Sequence, residues 1–168
     1  MEINETGVFI LAIAVSLLSF CVAFFLYLWV KKQKSDNKRI AEIGKLIRNG
    51  SNTFLKREYI VLSRFAGVIT LLIITFLPQP IWMGNPKQNI IMAISYILGT
   101  VLSAIAGKVG IEVATIANVK TAEAATKGIR PAFLVGFRGG AVMGMAVVGT
   151  SLLGVTLVYM LTHDEVLS

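Results

Sequence analysis

Residues 7–30 carry no charged side chain. An α-helix needs roughly 20 apolar residues to cross a hydrocarbon core, so this run predicts a first transmembrane helix. A secretory signal peptide would need a basic start and a shorter apolar core. Here the start is MEINET, with two Glu and no Lys or Arg, and the run ends in Trp29, Lys31 and Lys32. The reading is therefore an uncleaved helix with its N-terminus outside. The pattern changes over 31–57. Lys31 to Arg39 holds five cations and one Asp, which reads as a solvated cytoplasmic loop. From there Ile40, Ile43, Ile47 and Phe54 fall near one face, with Glu42, Lys45, Arg48, Asn52 and Lys56 elsewhere. That is the spacing of an amphipathic helix lying at or near the interface. It runs on into a second span, about 58–77, where Arg64 can snorkel back toward the basic side. Gly50 marks a place for a break in this long helix.

Pro78 and Pro80 stop the second span, because proline cannot continue the hydrogen-bond ladder. Trp82 follows as an interface aromatic. A third span is expected over about 90–116 and a fourth over about 132–161. Between them the connection from Asn118 to Pro131 carries Lys120, Lys127 and Arg130, and Pro131 suits the first turn of the next helix. The last residues, THDEVLS, read as a polar tail in which His163 is solvated. The expected fold is an all-α membrane protein. It has four transmembrane helices in a single region, 1–168, with the N-terminus and C-terminus both outside. Every loop agrees with the positive-inside rule.

Composition sharpens this. The chain is 55% hydrophobic and 15% charged, with a mean hydropathy of +0.76, whereas a soluble domain carries about 25% charged residues. A net charge of +7 raises nucleic acid as a partner, but ten of the sixteen Lys and Arg lie between Lys31 and Arg64. Charges beside hydrophobic spans set topology and meet anionic lipid, and no groove-reading motif accompanies them. The expected partner is the lipid bilayer of the cell membrane, not nucleic acid. The single cysteine, Cys21, excludes a disulfide framework.

Small residues recur every fourth position on the last two spans. Ser95, Gly99, Ser103 and Gly107 mark the third, and Gly136, Gly140 and Gly144 the fourth. Residues at i and i+4 share a helix face, and close backbone approach is what holds helices together in lipid. Gly99, Ser103, Gly107, Gly136, Gly140 and Gly144 are thus the candidate packing residues. Lys108, Glu112 and Arg138 are charges on the same two helices and form a candidate intramembrane ion pair. Lys108 and Glu112 stand one turn apart, and Arg138 can meet Glu112 or Glu123. No catalytic or metal-binding constellation is legible. The two Asp, Asp36 and Asp164, are at opposite ends, and polyphosphate hydrolysis needs clustered carboxylates to hold magnesium.

Three segments resemble the membrane-embedded, ion-pumping inorganic pyrophosphatases. Asn49-Gly50-Ser51-Asn52-Thr53-Phe54-Leu55-Lys56-Arg57-Glu58-Tyr59 is similar to that family's G-A-x-A-F-L-x-R-E-Y segment at the start of the second helix. Ala117-Asn118-Val119-Lys120-Thr121-Ala122, followed by Ala124-Ala125, is similar to A-N-V-R-T-A-x-A-A. Phe137-Arg138-Gly139-Gly140-Ala141-Val142-Met143-Gly144 is similar to A-F-x-G-G-A-V-M-G. Lys120 stands where the family usually has Arg, and Ser51 and Asn52 replace small residues.

The resemblance implies a great deal that the residues alone do not. Family members are homodimers of chains with about sixteen helices in two rings, and they couple diphosphate hydrolysis to the outward movement of protons or sodium ions. They use magnesium, with potassium left open as a second cation. The four spans here resemble the opening outer-ring helices, ahead of the catalytic Asp and Lys motifs. No catalytic, cofactor-binding or metal residue carries over. The expectation is a scaffold part of such a pump, inactive alone and completed by the remaining helices. Two rivals come from other classes: a standalone four-helix membrane protein with an assembly or regulatory role, and a small oligomeric carrier or channel.

Overall fold

In the computed structural model, residues 5–35, 37–82, 84 and 86–166 are described, with side chains from Gly7 to Met160. Four helices account for nearly all of them: α1 (Glu5–Lys32), α2 (Lys38–Phe76), α3 (Pro86–Ala125) and α4 (Ile129–Val166). All four are long and apolar enough to cross a membrane.

Each end has a local cause. α1 stops with Lys31 and Lys32 in its last turn, favourable charges at the negative end of the helix dipole. The Gln33 side chain donates to the freed Trp29 carbonyl at 3.2 Å. α2 starts at an Asn37 cap whose side chain accepts from the N–H groups of Arg39 and Ile40. The expected loop from Lys31 to Arg39 is therefore shorter than the charge pattern suggested. α2 is unbroken at Gly50 and ends at Phe76, just before Pro78. α3 ends at Ala125, and the turn to α4 passes through Gly128, whose φ of 125° only glycine adopts without strain.

The largest correction concerns 118–131. The sequence suggested a connection of that length, but α3 continues through Ala125 and α4 begins at Ile129. The segment Val119–Ala125 is rich in alanine, the best helix former, and a helix that has left the bilayer can still carry charges. Pro131 falls in the first turn of α4. α4 also runs on as helix to Val166, through the expected tail, where the side chains of His163 and its neighbours lie outside the described residues.

Contact positions fix the topology. Gly44 faces Val119, Arg48 meets Glu112, and Tyr59 meets the Ala104 carbonyl. The residue numbers in these pairs add to nearly one value, so α2 and α3 run antiparallel. The same holds for α3 with α4, through Ala117–Gly139 and Leu102–Gly154. It holds again for α1 with α4, through Phe20–Gly149, Trp29–Arg138 and Phe9–Tyr159. α1, α3 and α4 share a core around Ala23, Val113 and Val142. Among the described residues α2 touches only α3, so the helices form an open row, α1–α4–α3–α2.

Buried positions along the three core helices are spaced three and four residues apart. They include Ser16, Ser19 and Ala23 on α1; Ala106, Gly110, Val113 and Ala117 on α3; and Val135, Gly139, Val142, Ala146 and Gly149 on α4, whereas Thr115 and Gly154 are buried off this repeat. An alternating 3–4 repeat averages 3.5 and keeps one seam facing its neighbour, the geometry of left-handed packing. Buried hydroxyls on these faces bond to their own helix, as Ser16 does to the Ala12 carbonyl at 2.9 Å and Thr156 to the Leu152 carbonyl at 2.7 Å.

Candidate functional site

The charges singled out from the sequence separate. Glu112 pairs with Arg48 of α2 at 3.0 Å, not with Lys108 or Arg138. Lys108 is exposed. Arg138 lies over the ring of Trp29, 3.9 Å from its centroid, and its guanidinium has no carboxylate within ion-pair distance among the described residues. The reason is rotational. Lys108 and Glu112 are one turn apart, yet the α2–α3 contact turns Glu112 toward Arg48, while the α1–α4 contact places Arg138 on the opposite flank of the row. The partners came from α1 and α2, whose faces toward α3 and α4 no sequence spacing reveals.

Depth decides what these charges are for. At 1.5 Å per residue, Glu112 stands about 33 Å along α3 from Ile90, and Arg138 about 33 Å along α4 from Met160. The hydrocarbon core is about 30 Å thick. With the expected spans beginning at Ile90 and ending near Met160, both charges would fall at the edge of the core rather than its centre. The Arg48 and Glu112 side chains are each 50% exposed, which suits a weak interfacial ion pair. A cation held on an indole face at the same level is an anchor of the aromatic belt.

The glycine stripes also shift. Where a Cβ is built on Gly99, Gly140 or Gly144, nothing stands within 4 Å. Gly107 meets the Tyr59 hydroxyl at 3.7 Å and Gly136 meets Thr121 at 3.5 Å. The closest approaches occur elsewhere. A Cβ on Gly139 would overlap the Cβ of Ala117, and one on Gly44 would overlap Val119. A Cβ on Gly149 would stand 3.2 Å from the Ser16 carbonyl oxygen. A strict four-residue spacing drifts about 40° per step around a helix of 3.6 residues per turn, so it leaves the seam that a 3–4 repeat follows. Gly99, Ser103 and Gly107 instead line two open grooves, of ≈ 610 Å³ toward α4 and ≈ 890 Å³ toward α2. A third groove of ≈ 320 Å³ opens between α1, α3 and α4, with Glu112 at its basic end.

Asn89 is the residue that sequence reasoning passed over. It is 1% exposed, and its amide donates to the carbonyls of Ile74 and Gln79, both at 2.9 Å. It thereby ties the end of α2 to the start of α3. The signal was an amide opening an apolar run just after a proline turn. Tyr59, in the first of the three resembling segments, donates its hydroxyl to the Ala104 carbonyl at 2.7 Å.

The donor set does not suit magnesium. Among the described residues no three His, Cys, Asp or Glu side chains gather, and the carboxylates of Glu112 and Glu123 are engaged by Arg48 and by the Asn37 N–H. No hydrolytic step is assigned to these residues.

Comparison with known proteins bears on the long, open row of helices. The chain is 36% identical to a K(+)-insensitive pyrophosphate-energized proton pump of Methanosarcina mazei over 148 residues, 88% of this chain and 21% of that one. It is 40% identical over 134 residues to a K(+)-stimulated pyrophosphate-energized sodium pump of Thermotoga maritima, 79% of this chain and 17% of the pump. A K(+)-insensitive proton pump of Chloroflexus aurantiacus is 30% identical over 165 residues, 88% of this chain and 21% of the relative. The chain thus spans about a fifth of the length of these relatives. The model of the family described as inorganic H+ pyrophosphatase matches residues 17–167, a stretch that runs from within α1 through α4 and takes in each of the three resembling segments. With that match and these identities, this multi-pass membrane chain belongs to the inorganic H+ pyrophosphatase family.

Proposed function

We propose that this chain is a scaffold part of a pyrophosphate-energised pump, in which diphosphate hydrolysis elsewhere drives export of H+ or Na+. The observation that carries this reading is the family match over nearly the whole chain, set against a fold in which no three His, Cys, Asp or Glu side chains gather among the described residues. The open grooves beside Gly99, Ser103 and Gly107 and the uncovered flank of α2 then receive the remaining helices. Magnesium, potassium where a pump requires it, and the homodimer contact belong to those other helices. The basic ends of α1, α2 and α3 lie on the cytoplasmic side and both termini lie outside, in the cell membrane.

The test is magnesium-dependent phosphate release from membranes that contain only this polypeptide. The expected rate is that of empty membranes, and release clearly above it would overturn the reading. The positive arm is a chimera in which this chain replaces the matching segment of the Thermotoga maritima pump. It is expected to insert and hydrolyse pyrophosphate; an inserted but inactive chimera would also count against the scaffold role.

A further inference from the structure

A cavity of ≈ 280 Å³ lies where the C-terminal end of α1 meets the α3–α4 turn. Lys34, Lys120, Lys127 and Arg130 line it beside one acid, Glu123, a net charge of +3. Glu123 is partly engaged already, accepting from the Asn37 N–H at 3.3 Å. α4 begins at Ile129 on the rim, and a helix N-terminus adds positive potential there. The floor is apolar, made by Trp29, Leu134 and Val135.

Depth again narrows the occupant. Trp29 stands about 33 Å along α1 from Gly7, while Lys120 and Arg130 stand about 45 Å along α3 from Ile90 and along α4 from Met160. Against a core of about 30 Å with headgroup layers of about 5–8 Å on each side, the floor is at the hydrocarbon edge. The rim is at and beyond the headgroups, and long Lys and Arg side chains reach back toward them. The volume is at the small end of ligand sites, which run from about 300 Å³ upward. It suits a single headgroup. Cations from the α1–α2 connection, α3, the α3–α4 turn and α4 match an anion with several oxygens.

From size, charge and depth we infer that this cavity binds a phosphate group. The phosphate comes either from an anionic phospholipid of the bilayer or from a free phosphate in the water. The inference does not depend on the pump reading, because it uses only this chain's own residues and its place in a bilayer.

The experiment reads Trp29. Trp82→Phe leaves Trp29 as the one tryptophan of the two in the chain. The Trp82→Phe chain is reconstituted in phosphatidylcholine vesicles containing brominated phosphatidylglycerol or brominated phosphatidylcholine at equal mole fraction. Phosphatidylglycerol is expected to quench Trp29 several-fold more effectively. Replacing Lys120, Lys127 and Arg130 together by Gln is expected to lower the apparent affinity about tenfold or more, since each basic residue near an anionic surface contributes roughly a fivefold factor before screening. Replacing Lys45, Arg57 and Arg64 by Gln removes equal charge away from the cavity and should leave the preference intact. Lys120→Arg with Lys127→Arg should also keep it, which guards against a folding defect. Millimolar inorganic phosphate that abolishes the preference identifies free phosphate as an occupant; an unaffected preference identifies the lipid. Equal quenching by the two brominated lipids together with no change of Trp29 emission on adding millimolar inorganic phosphate, or equal loss in both Gln triples, would overturn the inference.

Discussion

Gly139 and Gly140 are neighbours on α4, both glycine and both helical, yet the structure gives them opposite roles. A Cβ on Gly139 would overlap the Cβ of Ala117, and a Cβ on Gly140 would meet nothing within 4 Å. Replacing Gly by Ala in a helix interior is worth about 1 kcal/mol in propensity. For Gly140→Ala that gain stands unopposed, and stability should rise by up to about 1 kcal/mol. For Gly139→Ala the obstacle is the stub of an alanine rather than the tip of a flexible chain, so α3 and α4 must separate. Overpacking of this kind costs roughly 1–3 kcal/mol, and separation also loosens the seam through Val113 and Val142. The net expectation is a loss of up to about 2 kcal/mol after the propensity gain. At roughly 2–4 °C per kcal/mol for a chain of this size, Gly139→Ala should melt up to about 8 °C lower and Gly140→Ala about 0–4 °C higher. The assay is thermal unfolding of the purified chain in mild detergent, read by helical circular dichroism and by the loss of the monodisperse peak on size exclusion. A Gly140→Ala chain that melts as low as Gly139→Ala, or lower, would refute the seam assignment. It would restore the four-residue stripe Gly136, Gly140, Gly144 as the packing face.

Asn89→Ala should cost about 1–3 kcal/mol, because it removes both hydrogen bonds of a buried amide to the Ile74 and Gln79 carbonyls, each worth about 0.5–1.5 kcal/mol; the same thermal assay checks it, and a change under 1 °C would contradict it. The Arg48–Glu112 pair is half exposed on both sides, so a double-mutant cycle with Arg48→Gln and Glu112→Gln should give a coupling of at most about 1 kcal/mol that fades in high salt. A coupling of several kcal/mol would mean the pair is buried by helices beyond the row, not held at an open interface.

Sequence alone determined the four apolar helices, their number and approximate places, and the basic character of one end. These follow from counts and local chemistry. Twenty uncharged residues have few stable forms in lipid other than a helix, and a proline pair or a glycine at positive φ ends one wherever it stands. It also showed the family resemblance through three short segments. What the sequence did not determine was rotation about each helix axis. Lys108, Glu112 and Arg138 looked like one cluster because they share a depth, but α2 supplies Arg48 and α1 supplies Trp29, and those partners lie far away in sequence. The glycines behaved likewise. A spacing of four made Gly136, Gly140 and Gly144 conspicuous, although the seam runs through Val135, Gly139, Val142, Ala146 and Gly149. In lipid no hydrophobic drive marks the inner face, so apolar residues surround each helix and the pattern carries little angular information. Only steric fit between neighbouring helices selects the facing residues, and that selection belongs to the tertiary structure.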